Sequence, residues 1–226
     1  MRVYKNDLIT FPPRAESRRK VHIMNSSAKN SVAIQKLVGT GVLTALVVVL
    51  QVFAASIKIG PVSFTLSLVP IVLGAVLYGP AVGAILGGVF GAVVTVATVT
   101  GADVGAYMMF EKLPVLTVIL CFVKGIAAGF VAGLVCRAFE KTRRPVVGIF
   151  LAAVACPIVN TGLFCVFLLS FYRDVATVWM GGTTYSNLLV YVLLGIVGVN
   201  FLVELAVNVI LAPAIERVIY AIKKQH

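Results

Sequence analysis

From Pro61 to Val94 the chain reads PVSFTLSLVPIVLGAVLYGPAVGAILGGVFGAVV and carries no charged residue. Gly79, Gly83, Gly87 and Gly91 recur four apart, so after the Tyr78-Gly79-Pro80 turn they line one stripe of a helix. In water such a helix is a poor choice, because each glycine costs about 1 kcal/mol against alanine. In lipid the balance differs. Burying leucine against leucine gains little over burying it against acyl chains, and a bare stripe lets a second backbone approach until dispersion holds the pair. The ladder predicts a packing seam inside a membrane bundle. A buried helix of a soluble protein would need more polar neighbours, and the flanking segments are just as apolar.

Hydrophobic residues make up 60% of the chain and charged residues 12%, with a mean hydropathy of +1.05; an ordinary soluble domain carries about 25% charge. At roughly 20 residues per transmembrane helix, 226 residues leave room for a handful of spans and no large soluble domain. The net charge of +11 would suggest nucleic acid if it were spread over a folded surface. It is not spread. Eight cations fall in the first 36 residues, four between Arg137 and Arg144, and three after Glu216, all in segments that a six-span count puts on one side of the bilayer, as the positive-inside rule expects. Cys121, Cys136, Cys156 and Cys165 lie inside apolar runs without close spacing and read as small hydrophobes.

Residues 1–35 are polar and basic, contain Pro12-Pro13 and lack an apolar h-region, so they read as a disordered cytosolic arm and not a secretory signal. Met24 is an alternative start. Six spans are expected at about residues 37–56, 62–77, 80–100, 115–136, 146–170 and 187–213. Pro70 in the second is expected to kink or break its helix. Outer segments 101–114 and 171–186 keep charges and aromatics together, as functional loops often do, although Trp179 and Tyr185 also suit an interfacial belt. The expected fold is therefore an all-α membrane protein. It is a six-transmembrane-helix bundle over residues 36–219, with N and C termini cytosolic and a basic tail over 220–226.

Asn200, Glu204 and Asn208 stand four apart and form one polar stripe on the last span. Ionisable groups inside a membrane cost about 3 kcal/mol or more unless paired, so the stripe must face protein, either as a substrate or ion pocket or as interhelical hydrogen bonding. Lys124 lies about 15 Å into its span at 1.5 Å per residue, and Glu204 is its expected intramembrane partner. Asn160 follows Pro157 by three residues; its amide can repair backbone groups freed by the proline or face a ligand. Gln51, near the outer end of span 1, is a weaker candidate of the same kind. Gly41 and Ala45 make a small-xxx-small pair that would seat another helix.

No G-x-x-x-x-G-K-[ST] cradle and no H-E-x-x-H motif occur, and His22 and His226 lie in polar tails. No metal or cofactor is expected, and an enzyme is disfavoured.

Four stretches in order, Gly60-Pro-Val-Ser-Phe-Thr-Leu66, Pro70-Ile-Val-Leu-Gly-Ala75, Tyr78-Gly-Pro80 with its ladder, and Cys156-Pro-Ile-Val-Asn-Thr-Gly162, together resemble the substrate-binding S component of energy-coupling factor (ECF) vitamin transporters. The resemblance runs over about residues 37–219. It implies a micronutrient, often a B vitamin, bound near the outer face, and docking by small residues of span 1, here Gly41 and Ala45, onto a transmembrane coupling protein that carries two cytosolic ATPases. It also implies toppling of the subunit during import and a place in the bacterial plasma membrane. Lys112, Asn160 and Asn200 resemble the polar residues of riboflavin-binding members, whereas the Gly-Pro-Val-Ser segment is closer to pantothenate-type members. Phe110, Trp179, Tyr185 and Gln51 complete the expected binding set. An anionic vitamin would need Lys58, Lys112 or Arg173 near its carboxylate. Two other readings stay open: a solo secondary transporter relaying protons through Lys124 and Glu204, and a membrane enzyme or scaffold.

Overall fold

The structure is a computed structural model that describes residues 14–55, 58–59, 62–63, 65–140 and 145–224. The chain divides into two compact units, Met1–Gly39 and Thr40–His226. In the first, the described backbone is helical from Arg14, where helix α1 (Arg14–Ala55) begins. Residues 14–35 hold neither glycine nor proline, and their Ala, Glu, Arg and Lys favour the helical backbone. Residues 1–13 of the N-terminal arm, 141–144 of the basic loop and the last two residues of the tail lie outside the described residues.

The second unit continues α1 from Thr40 and then turns through a two-residue antiparallel pair, β1 (Lys58–Ile59) and β2 (Val62–Ser63). Helices α2 (Leu68–Tyr78), α3 (Pro80–Val99), α4 (Val104–Lys112), α5 (Pro114–Glu140), α6 (Pro145–Phe171) and α7 (Arg173–Met180) follow. The last rod comprises α8 (Leu188–Val190), a π-helical turn (Tyr191–Ile196) and α9 (Val197–Lys224). By length and composition five helices can cross a membrane: Ala33–Ala54, Pro80–Val99, Pro114–Phe139, Val146–Phe171 and Leu188–Ala221. The chain is an all-α membrane protein.

The second expected span differs in form. With 11 residues, α2 covers about 16 Å, roughly half the hydrocarbon core, and the residues before it run through the β pair. Pro70 does not kink the helix; it occupies the first turn after the Ser67 N-cap, where no intrahelical N–H bond is lost. Pro157 and Pro213 do lie inside helices α6 and α9, and α9 continues past Pro213, where the last span was expected to end, to Lys224. The outer segments also contain helices. Asp103 caps α4 by accepting from the Ala106 N–H at 3.0 Å, and α7 buries Val175 and Ala176.

The glycine ladder is the tightest seam. A Cβ placed on Gly83 or Gly87 would fall on the carbonyl oxygen of Gly129 or Gly125, and one on Gly91 would lie 2.7 Å from the Cys121 oxygen. The reverse holds from α5, where Gly133 meets Pro80. The ladder of α3 thus faces a second ladder on antiparallel α5, backbone against backbone. Around it, Leu68, Ile71, Leu86, Phe90, Ala128, Ala152 and Cys156 form the larger apolar core. A second core joins Met109, Leu120, Leu168, Tyr172, Val192 and Ile196.

From Thr40 onward, α1 is buried along one stripe only, Leu43, Val47, Gln51 and Ala54. Val42, Val49, Val52 and Phe53 are all at least 60% exposed. Gly41 and Ala45 share that outward side, and a Cβ on Gly41 would meet nothing within 4 Å.

Candidate functional site

The polar side chains of the apolar helices converge. α1 contributes Gln51, the segment before α2 Thr65, α5 Thr117 and Lys124, α6 Asn160 and Thr161, and α9 Asn200 and Glu204. They line one cavity with an empty volume of ≈ 800 Å³, counting its opening to solvent. Asp103, Met109, Phe164 and Trp179 also line it. Helical spacing explains the convergence: 117, 120, 121 and 124 share a stripe of α5, as 160, 161 and 164 do on α6 and 196, 197, 200 and 204 on the last rod. In that rod, the π-helical turn precedes Asn200; such turns re-aim the side chains that follow and recur at functional sites.

The hydrogen bonds fix the walls and leave the interior open. Ser67 Oγ donates to Gln51 Oε1 at 2.9 Å and lies 3.1 Å from the Val47 carbonyl, which ties α1 to the start of α2. Glu204 is held by the Thr161 hydroxyl at 3.5 Å and by Thr65. Asn208 Nδ2 donates to the Glu204 carbonyl at 2.8 Å within its own helix, while its Oδ1 is buried without a partner and off the cavity wall. Asn160 is 4% exposed and its Oδ1 is buried without a hydrogen-bond partner. An orphan acceptor at that depth costs about 1–3 kcal/mol. Of the two roles open to Asn160, the ligand-facing one fits its place on the cavity wall.

Lys124 and Glu204 share the cavity but no ion pair within 4.0 Å joins them. The Lys124 ammonium instead lies 5.6 Å from the ring centroids of Phe90 and of Phe164. The expected partner therefore acts on Lys124 only through space, and the cation itself is held between two aromatic faces.

One end of the cavity is covered by α4 and α7. Trp179 Nε1 donates to Met108 Sδ at 3.2 Å, and the Tyr191 hydroxyl donates to the Trp179 carbonyl at 2.9 Å. Tyr172 bonds Thr117 at 2.8 Å and donates to the Leu113 carbonyl at 3.3 Å. Lys112 forms an ion pair with Asp174, and the hydrogen bond from Lys112 holds the Asp174 carboxyl below its ordinary value. Tyr107, on the same cover, is raised by its hydrogen bond to Glu111.

Of the residues expected to bind, Gln51, Asn160, Asn200 and Trp179 line the cavity, and Lys124 and Glu204 join them. Three do not. Lys112 is turned to Asp174; Phe110 is absent from the wall, which α4 meets with Ala106 and Met109; and Tyr185 packs on Tyr191, centroids 5.6 Å apart. Asp103, Thr65, Thr117, Thr161 and Phe164 were not anticipated, although Thr117 stands seven residues before Lys124 and Phe164 four after Asn160, which is helical spacing. Among the described residues no three His, Cys, Asp or Glu side chains group to hold a metal.

A bundle of apolar helices whose polar side chains gather on one partly open cavity is the arrangement of a membrane protein built around a small molecule. The chain belongs to the ECF transporter substrate-specific components, whose family matches residues 35–216. Comparison with curated proteins gives no match, and neither does comparison with solved structures.

Proposed function

We propose that this protein is the substrate-binding subunit of an ECF-type importer in the bacterial plasma membrane. It takes a B-group vitamin, such as riboflavin or pantothenate, from outside and passes it through a coupling protein driven by two cytosolic ATPases. In this reading the chain crosses the membrane six times, with α2 and the β pair together making the short second crossing. Both termini are cytosolic, and α4 and α7 face outward. Gln51, Asn160, Asn200 and Trp179 contact the vitamin, while Gly41 and Ala45 form the docking face on α1.

The observation that carries this reading is the buried cavity with the orphan Oδ1 of Asn160 on its wall. A buried acceptor left unpaired by the protein is explained if a ligand supplies the donor. The test is Asn160→Leu in purified protein. Trp179 is the sole tryptophan and lines the cavity, so its fluorescence reports occupancy directly. Vitamin binding should fall at least about tenfold, with detergent stability close to wild type; a variant that binds normally refutes the assignment. A second reading, the solo secondary transporter, draws on Lys124 and Glu204 sharing one cavity. Uptake by liposomes containing this chain alone would favour it, and uptake that requires the coupling protein and ATPases would exclude it.

A further inference from the structure

We infer that the substrate is a monocarboxylate whose anion seats on the Lys124 ammonium between the rings of Phe90 and Phe164. The inference rests on the cavity being the vitamin site. Lys124 lies ten residues into α5, and its Nζ contacts two ring faces at 5.6 Å. Among the described residues no carboxylate oxygen comes within 4.0 Å of it, and it makes no hydrogen bond. The rings attract the positive charge but leave its three N–H donors unfilled. An ammonium at membrane depth without a bonded acceptor is costly, and neither of the cavity's acids bonds this one. Asp103 caps α4, and Glu204, held by Thr65 and Thr161, attracts the ammonium from beyond 4.0 Å without pairing with it. The missing acceptor is left for the ligand to bring.

Two of the cations expected to meet an anion do not line the cavity, and the side chain of Lys58 lies outside the described residues. Lys112 is bound to Asp174, and Arg173 lines a separate hollow with Ser186 and Asn187. The charge of the ligand is also bounded from above. Glu204 and Asp103 face the same space and repel each negative charge a ligand carries, so a single carboxylate answered by Lys124 is favoured over a phosphate dianion. Asn160 Oδ1, buried and unpaired, adds the requirement of an O–H or N–H donor elsewhere in the molecule.

The experiment uses matched pairs that differ at the anionic group: pantothenate and panthenol, nicotinate and nicotinamide, biotin and biotinamide, with riboflavin as an uncharged vitamin. Each is titrated into the purified full-length protein and followed by Trp179 fluorescence. One carboxylate should bind, with its uncharged counterpart weaker by about 30-fold or more. Lys124→Met should remove that discrimination, and Lys124→Arg should keep part of it. The comparison within wild type does not depend on any variant folding. Binding of riboflavin, or equal binding of both members of a pair, overturns the carboxylate assignment and leaves the cavity as a vitamin site. Discrimination that survives in a folded Lys124→Met overturns the seat. Binding of none of the seven compounds overturns the vitamin reading itself, and this inference with it.

Discussion

Replacing Gly87 with alanine tests the central seam. The added Cβ would fall on the Gly125 carbonyl and lie 2.9 Å from the Ile126 nitrogen, both backbone atoms that no rotamer change can move. Ordinary contact begins near 3.4 Å, so α3 and α5 must part by about 1 Å. A gap of that size forfeits a quarter to a half of each atom-pair attraction along the seam, and overpacking of this kind costs about 1–3 kcal/mol or more. Alanine recovers up to about 1 kcal/mol in helix preference, leaving a net loss of roughly 2 kcal/mol. For a chain of this size that lowers Tm by about 4–8 °C. The control is Gly162→Ala on α6, where a Cβ meets nothing within 4 Å and only the preference gain remains. Thermal unfolding in detergent, followed by circular dichroism, separates the two. If Gly87→Ala melts with Gly162→Ala, at or above wild type, the backbone contact is not what holds these helices.

Gly41→Trp or Ala45→Trp, on the exposed side of α1, should leave vitamin binding unchanged and block co-purification with the coupling protein; assembly that survives puts the docking face elsewhere. The Lys112–Asp174 pair across the cover has a defined pH response. Asp174 is lowered by its bond to Lys112, so the pair's contribution is fully present above the unfolded carboxyl value of 3.8 and is lost as pH falls through the lower folded value. Ligand exchange should therefore be flat from pH 8 to 5, and Asp174→Asn at pH 7 should reproduce the faster exchange of the acid form. A transition centred between pH 5 and 7 that Asp174→Asn abolishes would refute this.

The ladder of α3 was legible because glycine at a four-residue period has one economical use in lipid; that it meets Gly125, Gly129 and Gly133 required knowing that α3 and α5 pack antiparallel. Asn160, Asn200 and Glu204 were legible for a related reason, since a polar group in a greasy helix must face inward. What stayed hidden depended on side-chain direction and on local breaks in helix. Lys112 has the right charge for a ligand, yet Asp174, 62 residues away, captures it. Pro70 looks like a kink until the helix is seen to begin only at Leu68, which turns a helix breaker into a helix starter. The π-helical turn at Tyr191–Ile196 has no sequence period to announce it, and it shifts the register of every residue after it.

α5 carries both halves of the design on adjoining faces. One face holds Gly125, Gly129 and Gly133 against α3; the next holds Thr117, Cys121 and Lys124 on the cavity, with the Cys121 carbonyl itself closing on Gly91. A lysine whose backbone is fixed beside such a seam can move its ammonium only within the reach of its own stem, which keeps the Lys124 charge on the cavity side. The opposite wall is built differently. α6 holds Pro157, which forfeits a backbone bond, and the last rod enters through a π-helical turn, so the amides of Asn160 and Asn200 stand on backbone that yields more easily than α5 does. A rigid charge facing adaptable amides predicts where substrates can be changed: substitutions near Asn160 and Asn200 should alter which molecule fits, whereas Lys124 should set the charge that any of them must carry. Titrating the matched pairs into Asn200→Ser checks this, since a change in the preferred carboxylate is expected and loss of the preference for carboxylate over its uncharged counterpart would refute it.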